Sequence, residues 1–462
     1  MDYSVRIADA HRKKGYTHFD SPVTYVQVKR LVEDPDYVVS HAFYPLISNT
    51  IESFRVEDSD YLGKEFSVKA REVAYAAHLD HRIYQYYSLQ WSDRYEVLLE
   101  KSGADGSVLA YRPQKHLSNI DGAAKAFSKI RELQNVAVMT GDFSSFFPSI
   151  QHDYLLGMMR KLFSDGKLPK DHYRVLKSII HYSIWELDSI LGIRGYDTSS
   201  KKRRKGSIRS FNRNEAHALT KEQFKANKDS CIKAPWKEGA GVGIPQGLAA
   251  SGALSNVYML DFDTSMAGSI STLNGLYLRY CDDFIVIVPW DKRNVLAAVL
   301  DYVKGVPGVS LQAGKTKFFH VHDSIVEQFN GPCFEKVCKS GAKKITYLGF
   351  DFDGRYVRLR QRTVGRFFNR YYRRVRKCQK RGRHLSNKQK AAIYKSFSKK
   401  GDNARGGYSQ MNFLSYVRRA QKTFPDDPIS KPVSNMYGKL KRDIGPLART
   451  ERAGRKLKRR RQ

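Results

Sequence analysis

Three aspartates stand where apolar sequence would ordinarily keep charge out. In GLYLRYCDDFIVIVP (275–289), Asp282 and Asp283 separate two runs of β type, 276–280 and 284–288. In VAVMTGDFSSFFPSI (136–150), a β-type run over 136–139 ends at Thr140-Gly141, and Asp142 follows at once. Asp is a turn residue, so an Asp-Asp pair can simply cap a tight connection in water. Asp426 and Asp427, in FPDDPIS, read that way, as a plain loop. Carboxylates at the ends of buried strands offer something else: rigid, hard oxygen donors of the kind magnesium requires. Two such ions about 3.5–4 Å apart stabilise both the attacking and the leaving oxygens of an in-line phosphoryl transfer. Their charge would also offset the repulsion between the acids.

The surrounding elements must bring these groups together. After Asp142, Pro148-Ser149 opens a helical pattern, IQHDYLLGMMRKLF, with Ser149 as its expected N-cap. The first sixty residues suggest short helices and loops. Residues 68–99 read as helix, entered through a basic stretch holding Lys64, Lys69 and Arg71. The basic segment GYDTSSKKRRKGSIRSFNRNE (195–215) reads as a surface loop. In GAGVGIPQGLAASGALSNVYMLDFD (239–263), glycine-rich turns give way to a helix of small residues, 249–253, suited to the close approach of something flat or bulky. Lys315 lies in a short polar interruption of SLQAGKTKFFHV, and ITYLGFDFDGRYVRLR forms a hairpin about Asp353-Gly354.

With 462 residues the chain has room for two or three subdomains around a large core. Lys and Arg exceed Asp and Glu by 81 − 46 = 35, an excess that calls for a polyanion, nucleic acid first of all. Between Gly354 and Gly401 no carboxylate occurs, and 355–390 hold fifteen Lys or Arg. In TVGRFFNRYYRRVRKCQKRGR, Phe367, Phe368, Tyr371, Tyr372 and Val375 recur at helical spacing. Arg366, Arg370, Arg373, Arg374 and Lys377 fall mostly on the other face, a cationic side for a phosphate backbone. The last residues, RKLKRRRQ, read as a basic tail that is disordered when alone. Five cysteines form no CxxC pair and no Cys/His set with metal spacing; they read as reduced, mostly buried thiols and argue against a zinc site. No apolar stretch is long enough for a membrane span and no signal-peptide core is visible, so the expectation is a soluble, cytoplasmic protein.

GDFSSFFPSI, GIPQG…SN, RYCDD with its aliphatic run, GKT and YLGF resemble, in order and spacing, the palm motifs of reverse transcriptases. The likeness extends to SVKAREVAYAAHLDHRIYQYY, AYRPQ and NFLSYVRRA, and with the opening YTHFD…H-F-P pattern it is similar to bacterial enzymes of the defence-associated, abortive-infection type, related to retron and group II intron reverse transcriptases. The resemblance implies an α+β right-hand polymerase fold: an N-terminal extension (1–59), fingers (60–135 and 153–238), an RRM-like palm (136–152 and 239–353), a basic helical thumb (354–428) and a basic tail (429–462). It implies two Mg²⁺ ions, with Mn²⁺ as a substitute, held by Asp142, Asp282, Asp283 and the Phe143 carbonyl. Lys315 would protonate pyrophosphate. Arg71, with Lys69 or Lys64, would hold the incoming triphosphate, Phe147 would be the steric gate against ribose, and Gln246 and Gly247 the pocket floor. Leu348 and Gly349 would grip the primer end. The implied partners are dNTPs, a structured non-coding RNA template and the DNA product, in antiphage defence; the oligomeric state stays open. Template-independent or protein-primed DNA synthesis, RNA-templated RNA synthesis and a maturase-like RNA-binding role are the alternatives. Phe147 argues against the ribonucleotide enzyme, and the intact set of three acids against the maturase.

Overall fold

The computed structural model describes residues 3–7, 9–59, 63–239, 241–335, 343–379, 385–398 and 412–446. The fold is α+β, as expected. Among the described residues the strands are β1 (Leu46–Ser59), β2 (Gly63–Tyr75), β3 (Val136–Asp142), β4 (Ile184–Glu186), β5 (Ile232–Lys233) and β6 (Leu276–Tyr280). They continue with β7 (Asp283–Pro289), β8 (Lys317–His322), β9 (Ile325–Phe329), β10 (Ile345–Tyr347), β11 (Phe350–Phe352) and β12 (Val357–Leu359). Three sheets result, with orders β2-β1-β4-β5, β6-β7-β3-β8-β9 and β10-β11-β12. The chain divides into two compact units, one of residues 1–116, 141–284 and 295–316, the other of 117–140, 285–294 and 317–462.

In the first unit, β1 and β2 pair antiparallel from Ile47↔Tyr75 to Ser59↔Gly63. This corrects the helical reading of 68–75. Val68 and Ala70 alternate with Lys69 and Arg71, a period of two that suits a strand, and the helix starts only at His78. Asp20 fixes that start, accepting from the His78 and Leu79 amides at 2.8 and 2.9 Å. Helix His78–Lys101 then buries Ile83, Tyr84, Tyr87, Trp91, Tyr95 and Leu99 at spacings of one, three and four. The opening motif is structural as well: His18 is fully buried, and His41 lies 2.7 Å from the buried Asp80 carboxylate.

The basic segment 195–215 is not a loop but mostly a helix, Lys201–Asn214, capped by Ser200. Phe211 and the partly buried Ile208, three residues apart, anchor it on Trp185, Leu187 and Ile190. Two apolar residues sufficed, and the surrounding Lys and Arg hid them. Ser149 is not an N-cap either. It ends a short helix, Phe146–Ser149, donates to the Phe146 carbonyl at 3.0 Å, and is followed by helix His152–Lys161 with Gln151 at its cap. The helix of small residues spans Ser251–Tyr258, so Ala249 and Ala250 precede it. Its flat neighbour is part of the chain: a Cβ on Gly252 would lie 2.6 Å from the Tyr111 ring.

In the second unit, β3 pairs antiparallel with β8 from Val136↔Val321 to Thr140↔Lys317. β8 and β9 form a hairpin, and β11 and β12 form the one expected about Asp353-Gly354. Helix Gln361–Gln379 buries Phe367, Tyr371 and Val375 and leaves Arg366, Arg370, Arg373, Arg374 and Lys377 exposed. Tyr372, read as apolar face, turns outward. Residues 436–444, expected within the tail, form a helix tied back by Tyr371, whose hydroxyl donates to Asp443 at 2.6 Å. Of the cysteines whose side chains are described, Cys281 is buried, Cys231 partly buried and Cys333 exposed. The Lys64 and Cys378 side chains, Cys338 and RKLKRRRQ lie outside the described residues. No described helix is long and apolar enough to cross a membrane.

Candidate active site

β3 is buried along its whole length and delivers Asp142 at its end, 8% exposed. The β6–β7 turn delivers Asp282 and Asp283 beside it: the Phe143 amide donates to the Asp282 carbonyl at 2.9 Å. A third segment runs alongside. The Ser144 amide donates to Ser310, and the Gln312 amide to the Asp142 carbonyl at 2.9 Å. One turn later, in Ala313–Lys315, the Lys315 ammonium reaches the Asp142 carboxylate at 2.6 Å.

The electrostatics are lopsided. Burial first, then the charges of Asp282 and Asp142 and a hydrogen bond with Asp142, push the Asp283 carboxyl up to about 7, while Lys315 acts the other way. Asp142 and Asp283 thus share one ammonium. All the side-chain donors are oxygens, and hard divalent cations are the partners such a set fits. The structure brings Asp142, Asp283 and Lys315 into contact and sets Asp282 next to them.

A buried network that sequence reading missed holds the turn. Arg279, fully buried, donates to both Asp263 oxygens at 2.8 and 2.5 Å, to Asn256 at 3.2 Å and to the Cys281 carbonyl at 3.0 Å. The Tyr277 hydroxyl also reaches Asp263, at 2.7 Å. Cys281 itself adopts φ +60°, a left-handed conformation uncommon for a residue with a side chain. Burial pushes its thiol up to about 12, so it stays a neutral thiol, hydrogen-bonded with Tyr111. Asp263 lies sixteen residues before Arg279, a separation that matches neither helix nor strand periodicity, so no local pattern announces the pair.

Around the acids, Phe146 is buried and Phe147 only half-buried, which leaves Phe147 the ring with a free edge. The Phe147 carbonyl accepts from the Ile244 amide at 3.0 Å, tying it to the GIPQG turn. That turn is fastened to β2: the Ala74 amide donates to the Gln246 carbonyl at 2.8 Å. Gly247 has φ +113°, and a Cβ there would meet the Ala74 carbonyl at 2.6 Å, so only glycine fits. Arg71 and Lys69 lie on the same strand, opposite Ile51 and Ser53, with Arg71 exposed.

The remaining predicted residues belong to the second unit. Leu348 (φ +46°) and Gly349 (φ +89°) make the tight β10–β11 turn, and Asn119 donates to the Leu348 carbonyl at 2.9 Å. Arg370, Arg373, Arg374 and Lys377 line a cleft of about 570 Å³ with Phe367 and Phe413.

No curated protein matches the chain. Among solved structures it is similar to the apo telomerase of Candida tropicalis, at 14% identity and a TM-score of 0.38, over 91% of this chain and 65% of that one. A second is the telomerase of the same organism in complex with a TWJ fragment of telomeric RNA, at 13% identity and a TM-score of 0.38, over 91% and 59%. The chain thus spans about three fifths of the length of those it resembles. Residues 216–352, which include Gln246, Gly247, Asp282, Asp283, Lys315, Leu348 and Gly349, match the family model for reverse transcriptase (RNA-dependent DNA polymerase). That segment is therefore similar to the reverse transcriptase domain, while Asp142, Phe143 and Phe147 lie outside the match.

Proposed function

We propose that this protein polymerises deoxynucleotides on an RNA template, at the acids of β3 and the β6–β7 turn. The observation that carries the reading is the contact of Asp142 with both Asp283 and Lys315 at the end of one sheet. Asp142, Asp282, Asp283 and the Phe143 carbonyl would hold divalent cations, Mg²⁺ or Mn²⁺. Bound there, such cations supply positive charge to the attacking 3′ oxygen and the departing pyrophosphate.

The chain's own residues do the rest. Lys315, already fixed against Asp142, holds an ammonium proton that it can give to the pyrophosphate as it leaves. Arg71 and Lys69 draw in the triphosphate from β2. The Gln246–Gly247 turn, fastened to the end of that strand, forms the floor, and the Phe147 ring takes the space that a 2′ hydroxyl would need. Leu348 and Gly349 support the primer end, while Arg366, Arg370, Arg373, Arg374 and Lys377 follow a phosphate backbone. Fingers, palm and thumb take the boundaries that the resemblance implies. The template is a structured non-coding RNA, a reading supported by the basic helix, and the setting is bacterial antiphage defence, a reading that rests on the resemblance alone.

The test is incorporation of labelled dNTPs by purified protein on an RNA template with Mg²⁺. Activity should vanish in Asp282→Ala with Asp283→Ala. Incorporation of NTPs as efficiently as dNTPs would remove the gate role of Phe147. For the template, protein purified at low salt should carry RNA that high salt releases; protein free of nucleic acid at low salt would count against it.

A further inference from the structure

We propose that His320 and His322 of β8 and Glu327 of β9 bind one zinc ion that clips this hairpin, a site separate from the three aspartates. His320 and His322 alternate on one face of β8, and Glu327 is the cross-strand partner of His320. A single carboxylate oxygen, Glu327 Oε2, lies 3.3 Å from His322 Nε2 and 3.7 Å from His320 Nδ1. One ligand atom from each of the three side chains falls within 4.8 Å of the others. Donors bound to zinc at about 2.0–2.1 Å in a tetrahedron stand roughly 3.3 Å apart, so the observed spacing needs little adjustment.

The far side of each ring supplies an independent argument. His320 Nε2 lies 2.8 Å from Asn135 Oδ1, and His322 Nδ1 lies 3.3 Å from Asp323 Oδ2. Both partners are oxygens that only accept, so each ring places its N–H outward. With both rings neutral, the lone pairs that remain face Glu327 and three acceptors converge with no donor among them, whereas Asp323 and Glu327 together favour a protonated His322 that would donate. A cation resolves that conflict. Oxygen partners on the distal nitrogens are also what fixes the tautomer of metal-binding histidines. Trp290 stacks on His320 at 3.5 Å and 15°, which locks the ring in place. Two histidines and one carboxylate leave a fourth position to water, a set that zinc accepts.

The rival is a protonated His322 held by Asp323 and Glu327, with no metal. The full chain, purified without a histidine tag and stripped with a chelator, separates the two. Zinc uptake is measured against a chromophoric competitor, and Co²⁺ is added as a spectroscopic substitute. The Asp282→Ala, Asp283→Ala protein serves as background, so that Asp142 alone remains of the three aspartates. One equivalent of zinc should bind, with intense Co²⁺ bands of tetrahedral type. Binding should weaken by at least ~10-fold in Glu327→Gln, the loss typical of a damaged metal shell. It should disappear in His320→Ala with His322→Ala, and zinc should raise the unfolding temperature of the background protein but not of that variant. Zinc uptake equal in all of these proteins, or none in any, would overturn the proposal. Glu327→Gln keeps the shape of the side chain, so a misfolded histidine variant would not rescue it.

Discussion

The chain contains two Asp-Asp pairs, and their surroundings differ in one respect that separates structure from chemistry. Asp427 is buried, and its carboxylate is fully answered: it accepts from the Val357 amide at 2.7 Å and from Arg131 at 2.8 and 3.1 Å. Asp283 is half-buried, yet the charges acting on it include two further carboxylates, Asp282 and Asp142, and the one lysine near it is already paired with Asp142. A buried acid with a cation and an amide around it holds a fold together. A half-buried acid among acids is the arrangement expected of a functional site rather than of a structural tie. The comparison also corrects the reading of FPDDPIS as a plain solvated loop: only Asp426 is exposed, while Asp427 ties the segment to β12 and to helix Asn119–Leu133.

The sharpest way to break this contrast is to remove each pair in turn. Asp282→Ala with Asp283→Ala should cost more than ~10³-fold in dNTP incorporation, with no loss of thermal stability, since like charges disappear. A large drop in unfolding temperature would put the acids in the structural class with Asp427. Lys315→Ala should lower single-turnover rates by roughly 10²-fold if the lysine is the proton donor; an unchanged rate would leave it a mere counter-charge for Asp142. Asp427→Ala should do the opposite of the first pair, costing about 1–3 kcal/mol in urea unfolding through the orphaned Val357 amide. The exposed part of Arg131 adds little to that figure. Incorporation at 25 °C should persist. A pH series in chelator sharpens the comparison further. The Asp283 carboxyl is raised to about 7 in the folded protein from an ordinary carboxylate value near 4. The folded state therefore binds the extra proton, and the metal-free protein should lose stability as pH rises from about 4 to 7. Asp283→Asn should flatten that slope, and an identical slope in the variant would show that another group carries it. Smallest of all, Asp427→Asn keeps an oxygen for the Val357 amide and should cost less than the alanine variant.

Much of the candidate site was legible because a charge inside an apolar run violates the burial pattern, and such violations stand out residue by residue. The cationic face of helix Gln361–Gln379 was legible for a similar reason, its period being that of a helix. Elsewhere the signal was local but outweighed. β2 alternates with a period of two, yet the helix behind it is longer and coloured the whole stretch. Helix Lys201–Asn214 rests on few apolar anchors among many cations. Other features were not legible at all, because their partners meet only in three dimensions. Arg279 with Asp263, Asp427 with Val357, and Glu327 with His320 and His322 are of this kind. The cysteines drew attention away from the last of these, since a zinc site built without sulfur leaves no cysteine spacing to find.

The amide of Ala74 is one bond in a backbone, but its position gives the β1–β2 hairpin a mechanical role. The same strand carries Arg71 three residues away, and a paired strand transmits displacement along its axis better than it bends. Whatever pulls on Arg71 therefore tugs the GIPQG turn and, through Ile244, the backbone of Phe147. On the proposed reading, binding of a triphosphate at Arg71 and its fit against Phe147 are linked through that strand, so loosening the Ala74 joint should blur discrimination before it weakens capture.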